Sequence, residues 1–117
     1  LDNKRIVPKQ SAFCTAVTGY LKKNYGKNLT SKDMAEVCFL NHSYFCRKFK
    51  ENFGISFSQY LNIYRISMAR KMLEENSGSI AEIAEKCGFE TPAYFSKCFK
   101  THIGILPNEY KKSKNSL

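Results

Sequence analysis

One segment of this sequence occurs twice, and neither copy is long enough to bury a core by itself. Tyr44 to Tyr60 reads YFCRKFKENFGISFSQY, and fifty residues on Tyr94 to Tyr110 reads YFSKCFKTHIGILPNEY. Seven of 17 positions are identical: Tyr44/Tyr94, Phe45/Phe95, Phe49/Phe99, Lys50/Lys100, Gly54/Gly104, Ile55/Ile105 and Tyr60/Tyr110. Composition alone would give roughly one match. Upstream the likeness continues at an offset of 49, pairing Thr30, Asp33, Met34, Ala35, Glu36 and Cys38 with Ser79, Glu82, Ile83, Ala84, Glu85 and Cys87. A duplicated unit of about thirty residues must bury its apolar face against the rest of the chain.

The residues within a unit predict two helices and a short turn. Thr30 and Ser79 are N-cap residues with an acid three positions on, the start of a capping box. The helix that follows is two turns long and apolar at Met34, Ala35 and Cys38, or Ile83, Ala84 and Cys87. Gly88 then suits a left-handed C-terminal position. Asn41 caps the second helix of copy one; in copy two Thr91 caps and Pro92 takes the first helical position, where a missing N–H costs nothing. Phe45, Phe49 and Phe53, like Phe95, Phe99 and Ile103, fall at i, i+4 and i+8, one buried stripe. Gly54 and Gly104 end these helices. Helix, short turn and helix along one apolar seam is the helix-turn-helix pattern.

Between the copies, residues 56–75 read as one helix, with Phe57, Tyr60, Leu61, Tyr64, Met68, Met72 and Leu73 at helical spacing. Asn76-Ser77-Gly78 breaks it. Twenty residues make a rod of about 30 Å, close to the roughly 34 Å turn of duplex DNA. Such a rod can set two recognition helices into successive major grooves, the shortfall being met by bending the DNA or by leaving one unit loosely docked. A first helix is expected at about 10–25, from Phe13, Val17, Tyr20 and Leu21, and a short closing helix at 107–112. The expected organisation is therefore all-α: a linker at 1–9, a first helix-turn-helix unit at 10–55, a linker helix at 56–76, a second unit at 77–112 and a frayed tail at 113–117. The chain begins at Leu1, and we read it as a piece of a longer protein.

Charge narrows the class of partner. Nineteen Lys and Arg face ten Asp and Glu, a net +9, which favours a polyanion. Its distribution says more. The first helices, 31–38 and 79–87, each carry −1, whereas the second helices, 42–53 and 92–103, each carry +2. Basic residues thus favour the helices that would enter grooves. Residues 1–30 add +5, a source of sequence-independent phosphate attraction.

With the Phe stripes turned inward, the residues facing a groove are those off the stripe in the N-terminal half of each second helix. In unit one these are His42, Ser43, Cys46 and Arg47, and in unit two Pro92, Ala93, Ser96 and Lys97. Arg47 is the strongest base reader, since its planar fork can take guanine O6 and N7 together. Lys97, its counterpart, can do this less specifically or contact phosphate. Lys50 and Lys100, nearer the helix ends, are expected on phosphates.

The second copy, from Ile80 to Tyr110, and the linker residues Tyr60, Leu61, Arg65, Ile66, Ala69, Met72 and Leu73 resemble the AraC/XylS family of bacterial regulators. The resemblance covers residues 10–112. It implies a seven-helix C-terminal DNA-binding domain with two helix-turn-helix units, usually placed after a sensor, dimerisation or receiver domain. It carries recognition positions over to Ser43, Cys46 and Arg47 and to Pro92, Ala93, Ser96 and Lys97, and it makes Arg65 structural. Two residues depart from the family pattern. Phe39 stands where a glycine is usual in the first turn, so either Phe39 is strained there or the turn differs. Cys46 replaces a polar reader, shifting unit-one readout toward Arg47 and His42.

Other chemistry is thin. The five cysteines are odd in number, widely spaced and without a CxxC, which reads as reduced thiols and no disulfide framework. His42 with Cys46, and Cys98 with His102, each offer two metal ligands, short of a closed site. Oxidation sensing by Cys46 would require its exposure. No catalytic triad, P-loop or dinucleotide fingerprint occurs, so we expect no enzyme and no cofactor. There is no membrane-spanning run and no signal peptide. The expectation is a cytoplasmic, sequence-specific double-stranded DNA-binding domain in transcription regulation, with RNA polymerase as a second partner and no membrane, monomeric as this fragment. The rival is a helical protein-interaction module, which needs an exposed apolar patch and no use of Arg47 or Lys97.

Overall fold

The structure is a computed structural model that describes the backbone of residues 7–115 and the side chains of 12–114. Among these residues every regular element is helical: α1 (Val7–Asn24), α2 (Ser31–Val37), α3 (His42–Phe53), α4 (Phe57–Glu74), α5 (Ile80–Lys86), α6 (Pro92–Ile103) and α7 (Pro107–Asn115). Among the described residues the chain is all-α, with seven helices. It falls into two compact units, Leu1–Asn24 with Leu29–Tyr60, and Tyr25–Asn28 with Leu61–Leu117.

The caps act where the sequence places them. The Thr30 hydroxyl accepts from the Asp33 N–H at 3.1 Å while the Asp33 carboxylate accepts from the Thr30 N–H at 3.0 Å. Ser79 and Glu82 repeat the arrangement at 3.1 and 2.9 Å. Asn41 and Thr91 each accept from the N–H of a tyrosine three residues on, Tyr44 and Tyr94. Each cap satisfies donors that the first turn leaves without partners, worth about 1 kcal/mol.

Unit one packs α1, α2 and α3 around aromatic rings. Val17, Leu21, Met34, Phe45 and Phe49 are fully buried. The Phe45 ring lies 5.9 Å from those of Phe13, Phe49 and Phe57, and Phe49 stacks on Phe53 at 4.1 Å. Burying a side chain of this size stabilises by roughly 1.5–3 kcal/mol, so the Phe stripe of α3 is what ties it to α1. Unit two has its own core of Ile66, Ala69, Leu73, Ile83, Ala84, Cys87, Phe89, Phe95, Cys98 and Phe99. Among the described residues no polar or charged side chain is fully buried, so neither core carries the cost of an unmatched polar group.

The expected linker helix is not a separate body. Phe57 and Tyr60 set their rings against Phe49, both at 5.5 Å, and count with unit one, while Ile66, Ala69 and Leu73 enter the core of unit two. Both ends of α4 are apolar enough to be claimed by a neighbouring core. The helix is also shorter than its expected twenty residues, at 18. Asn76, at φ 56°, stops it, with the Ser77 N–H reaching back to the Met72 carbonyl at 2.9 Å. The expected 1–9 linker lies outside the described residues except for 7–9, which already belong to α1. The closing helix runs three residues beyond 112, into the stretch expected to fray, and residues 116–117 lie outside the description.

Arg65 fastens unit two from within. Its Nε donates to the Tyr25 carbonyl at 2.8 Å and its Nη2 to the Lys27 carbonyl at 2.7 Å. These carbonyls belong to the loop after α1, which brings Tyr25 edge-on against Tyr64 at 5.4 Å. A Cβ at Gly26 would lie 2.5 Å from the Lys86 carbonyl oxygen, so the loop backbone runs directly against the end of α5. The guanidinium fork satisfies two carbonyls that would otherwise lack donors near this contact. The structural role expected of Arg65 has this geometry.

Candidate nucleic-acid interface

In unit one, α3 turns its Phe stripe inward and leaves its other face open. His42, Ser43, Cys46, Arg47 and Lys50 are all exposed. His42 opens the helix and is held by the residue that opens α2: its Nε2 lies 2.8 Å from the Ser31 hydroxyl. This leaves Nδ1 as the ring nitrogen not engaged with Ser31. Cys46 and Lys50, one turn apart, line a shallow hollow with Ser31, Ser56, Phe57 and Ser58.

The Arg47 guanidinium sits 5.5 Å from the centre of the Tyr44 ring. Lys48 Nζ is 5.8 Å from the same ring and closer, 5.2 Å, to that of Phe13. Tyr44 is therefore an exposed aromatic at the head of α3 with two cations against it, within the range of cation–π attraction.

Unit two repeats the frame with different contents. Pro92, Ala93, Lys97 and Lys100 are exposed and Ser96 is half-buried. Pro92 lines a hollow with Ala81, Ala84, Phe89 and the acids Glu85 and Glu90. Two carboxylates beside the start of α6 disfavour an approaching phosphate. Tyr94 corresponds to Tyr44, but its hydroxyl accepts from Asn62 Nδ2 at 3.2 Å and its ring faces Phe89 at 6.1 Å. Lys97 has no aromatic ring against it among the described residues.

Each set of expected readers thus lies on one helix face of its own unit. Sequence reasoning passed over Ser31, Tyr44, Lys48, Asn62 and Tyr94. Tyr44 and Tyr94 carried a signal, identity across the repeat, but Ser31 and Asn62 carried none, because their contacts cross from another helix. Among the described residues all five cysteines are free, and no three His, Cys, Asp or Glu side chains gather as a metal site. No described helix is long and apolar enough to cross a membrane.

Comparisons with known proteins bear on the family and the fold. A family model described as "Helix-turn-helix domain" matches residues 34–113. The HTH-type transcriptional regulator YisR of Bacillus subtilis is 36% identical over 93 residues, covering 80% of this chain and 32% of that protein. The chain therefore spans about a third of the length of this relative. Among solved structures, the C-terminal domain of the two-component response regulator yesN from Fusobacterium nucleatum superposes with a TM-score of 0.77 at 32% identity, covering 81% of this chain and 93% of that one. A transcriptional regulator from Chromobacterium violaceum, one of the AraC-type DNA-binding domain-containing proteins, gives 0.83 at 26% identity, covering 93% of this chain and 97% of that one.

Proposed function

The chain belongs to the AraC/XylS family of helix-turn-helix proteins, and from that premise we propose that it is the sequence-specific, double-stranded-DNA-binding domain of a bacterial transcription regulator. The observation that carries this reading is the pair of second helices, α3 and α6, each with its aromatic pair, Phe45 and Phe49 or Phe95 and Phe99, buried and with Arg47 or Lys97 on its open face. That is the side of a recognition helix whose residues reach base edges in a major groove.

In this reading Arg47 takes a guanine edge, with His42, Ser43 and Cys46 beside it. Pro92, Ala93, Ser96 and Lys97 face the second groove, with less hydrogen-bonding capacity and two carboxylates nearby. Lys50 and Lys100 contact phosphates and fix register. The domain works in the cytoplasm, as a monomer in this fragment, performs no catalysis, and meets RNA polymerase when the whole regulator acts.

Selection from a randomised duplex library, followed by gel shifts at two salt concentrations, tests the reading. We expect one enriched sequence and a log-affinity against log-salt slope of several units. A library that shows no enrichment overturns sequence-specific binding and leaves the helical protein-interaction module.

A further inference from the structure

We infer that Tyr44 is a positioning residue for Arg47, holding the guanidinium against its ring so that unit one meets DNA with its principal base reader already ordered. The inference rests on the reading of Arg47 as a base-contacting residue and adds a residue to it that touches the reader. Tyr44 lies three residues before Arg47, the spacing that sets two side chains side by side on a helix surface. The guanidinium is 5.5 Å from the ring centre, and Arg stacks on aromatic faces in a way that Lys does not. Tyr44 is 42% exposed, so its ring stands on the same open helix surface as Arg47. Its other cation, Lys48, is drawn to the nearer ring of Phe13, which leaves the Tyr44 face to Arg47.

The repeat supplies an internal comparison. At the equivalent places unit two has Tyr94 and Lys97, and Tyr94 is bound elsewhere, by its hydroxyl to Asn62 and by its ring to Phe89. The same aromatic position thus serves the core-side neighbours in one copy and the groove-side cation in the other. An unrestrained Arg loses considerable rotamer freedom on gripping a base. A guanidinium already resting on a ring has lost part of that freedom before DNA arrives.

The test is a double-mutant cycle on the library-selected duplex and on a random duplex, with folding of every variant checked by circular dichroism. Tyr44→Ala is expected to lose about two- to fivefold in affinity for the selected duplex, the scale of an exposed cation–π contact, and nothing on the random one. Tyr44→Leu, which keeps bulk without a π face, should lose as much, and Tyr44→Phe should restore the affinity. In an Arg47→Ala background the Tyr44→Ala loss should vanish. Equal losses on both duplexes, a loss that persists without Arg47, or a Tyr44→Phe as weak as Tyr44→Ala would each overturn the inference and make Tyr44 a phosphate or packing residue. If Arg47→Ala alone costs nothing on the selected duplex, the base-reading role of Arg47 falls and this inference falls with it, an outcome distinct from the others.

Discussion

Phe39 and Gly88 occupy the same place in the two copies of the repeat, and both hold a positive φ, 58° and 92°. The hydrogen bonds around them match as well. The N–H groups of Phe39 and Leu40 return to the carbonyls of Glu36 and Ala35, and those of Gly88 and Phe89 to Glu85 and Ala84, all at 2.9–3.1 Å. The turn is therefore the same in both units, and Phe39 is strained in it, which decides between the two possibilities the sequence left open. Its side chain is 94% exposed, so no burial offsets the strain. Phe39→Gly should raise stability by roughly 0.5–1 kcal/mol, a left-handed penalty of about 1–2 kcal/mol less the added entropy of an unfolded glycine. Gly88→Ala should do the opposite and cost about 2 kcal/mol or more, because its Cβ would lie 2.7 Å from the Tyr25 carbonyl oxygen and 2.8 Å from Arg65 Nε. Urea denaturation of the two variants reads both signs; a destabilised Phe39→Gly would mean that the Phe39 ring has a partner in the folded state.

Arg65→Lys should cost about 2 kcal/mol, although the charge is kept. A single ammonium cannot span the carbonyls of Tyr25 and Lys27 that the fork holds at 2.8 and 2.7 Å, and a charged hydrogen bond lost from a half-buried site is worth roughly 1.5–3 kcal/mol. Burial pulls the Arg65 pKa below its ordinary value, but an arginine so shifted still carries its proton at neutral pH. Chemical denaturation should show the lost stability. Limited proteolysis should show the loop at 25–28 cut earlier than in the parent, and an unchanged cutting pattern would refute the fastening role.

How legible was this protein in its sequence? Elements whose signal is local were readable nearly to the residue. Thr30, Asn41, Ser79 and Thr91 cap where expected because a cap is a short-range bond between a side chain and the backbone three positions on. Ends set by tertiary packing were less so. The expected linker helix became shared because Phe57 and Tyr60 find Phe49, a contact that helical periodicity does not announce. The open face of α3 followed from the buried stripe of Phe45 and Phe49. The neighbours on that face, Ser31 beside His42 and Tyr44 beside Arg47, did not: identity across the repeat singled out Tyr44 but not the cation it would meet.

The cysteines should separate cleanly by reactivity. Burial pushes the Cys87 thiol up to about 11, so it stays protonated and inert near neutral pH, and Cys98 is buried with it. Cys46 is exposed on the open face of α3. With a thiol reagent under native conditions Cys46 should react first, and Cys87 and Cys98 only on unfolding. Mass spectrometry of a timed alkylation would show the order. A native-state adduct on Cys87 at the rate of Cys46 would mean that the core of unit two opens readily.

Acid should weaken the start of α5. The Ser79 backbone and hydroxyl bonds hold the Glu82 carboxyl below its ordinary value of 4.5. A depressed carboxylate pKa contributes stability that is fully present above the unfolded value and is lost as pH falls through the lower folded one. The thermal midpoint of the parent should therefore fall below about pH 4.5 more steeply than that of Glu82→Gln. Parallel profiles for the two would show that the capping box contributes nothing through charge.

Lys50 and Lys100 close the functional argument, because they test phosphate contacts apart from base contacts. Both are exposed near the ends of their helices, beyond the positions proposed to reach base edges. A phosphate contact weakens binding evenly across sequences and releases about one counterion when formed. Lys50→Ala and Lys100→Ala should therefore lose affinity equally for the selected and random duplexes and lower the salt slope by about one unit each. Gel shifts or fluorescence anisotropy at four salt concentrations would measure both quantities. A loss confined to the selected duplex, with the slope unchanged, would move that lysine from the phosphate backbone to a base edge. It would also mean that the readable face of its helix extends at least one turn further toward the C-terminus than the buried Phe stripe implies.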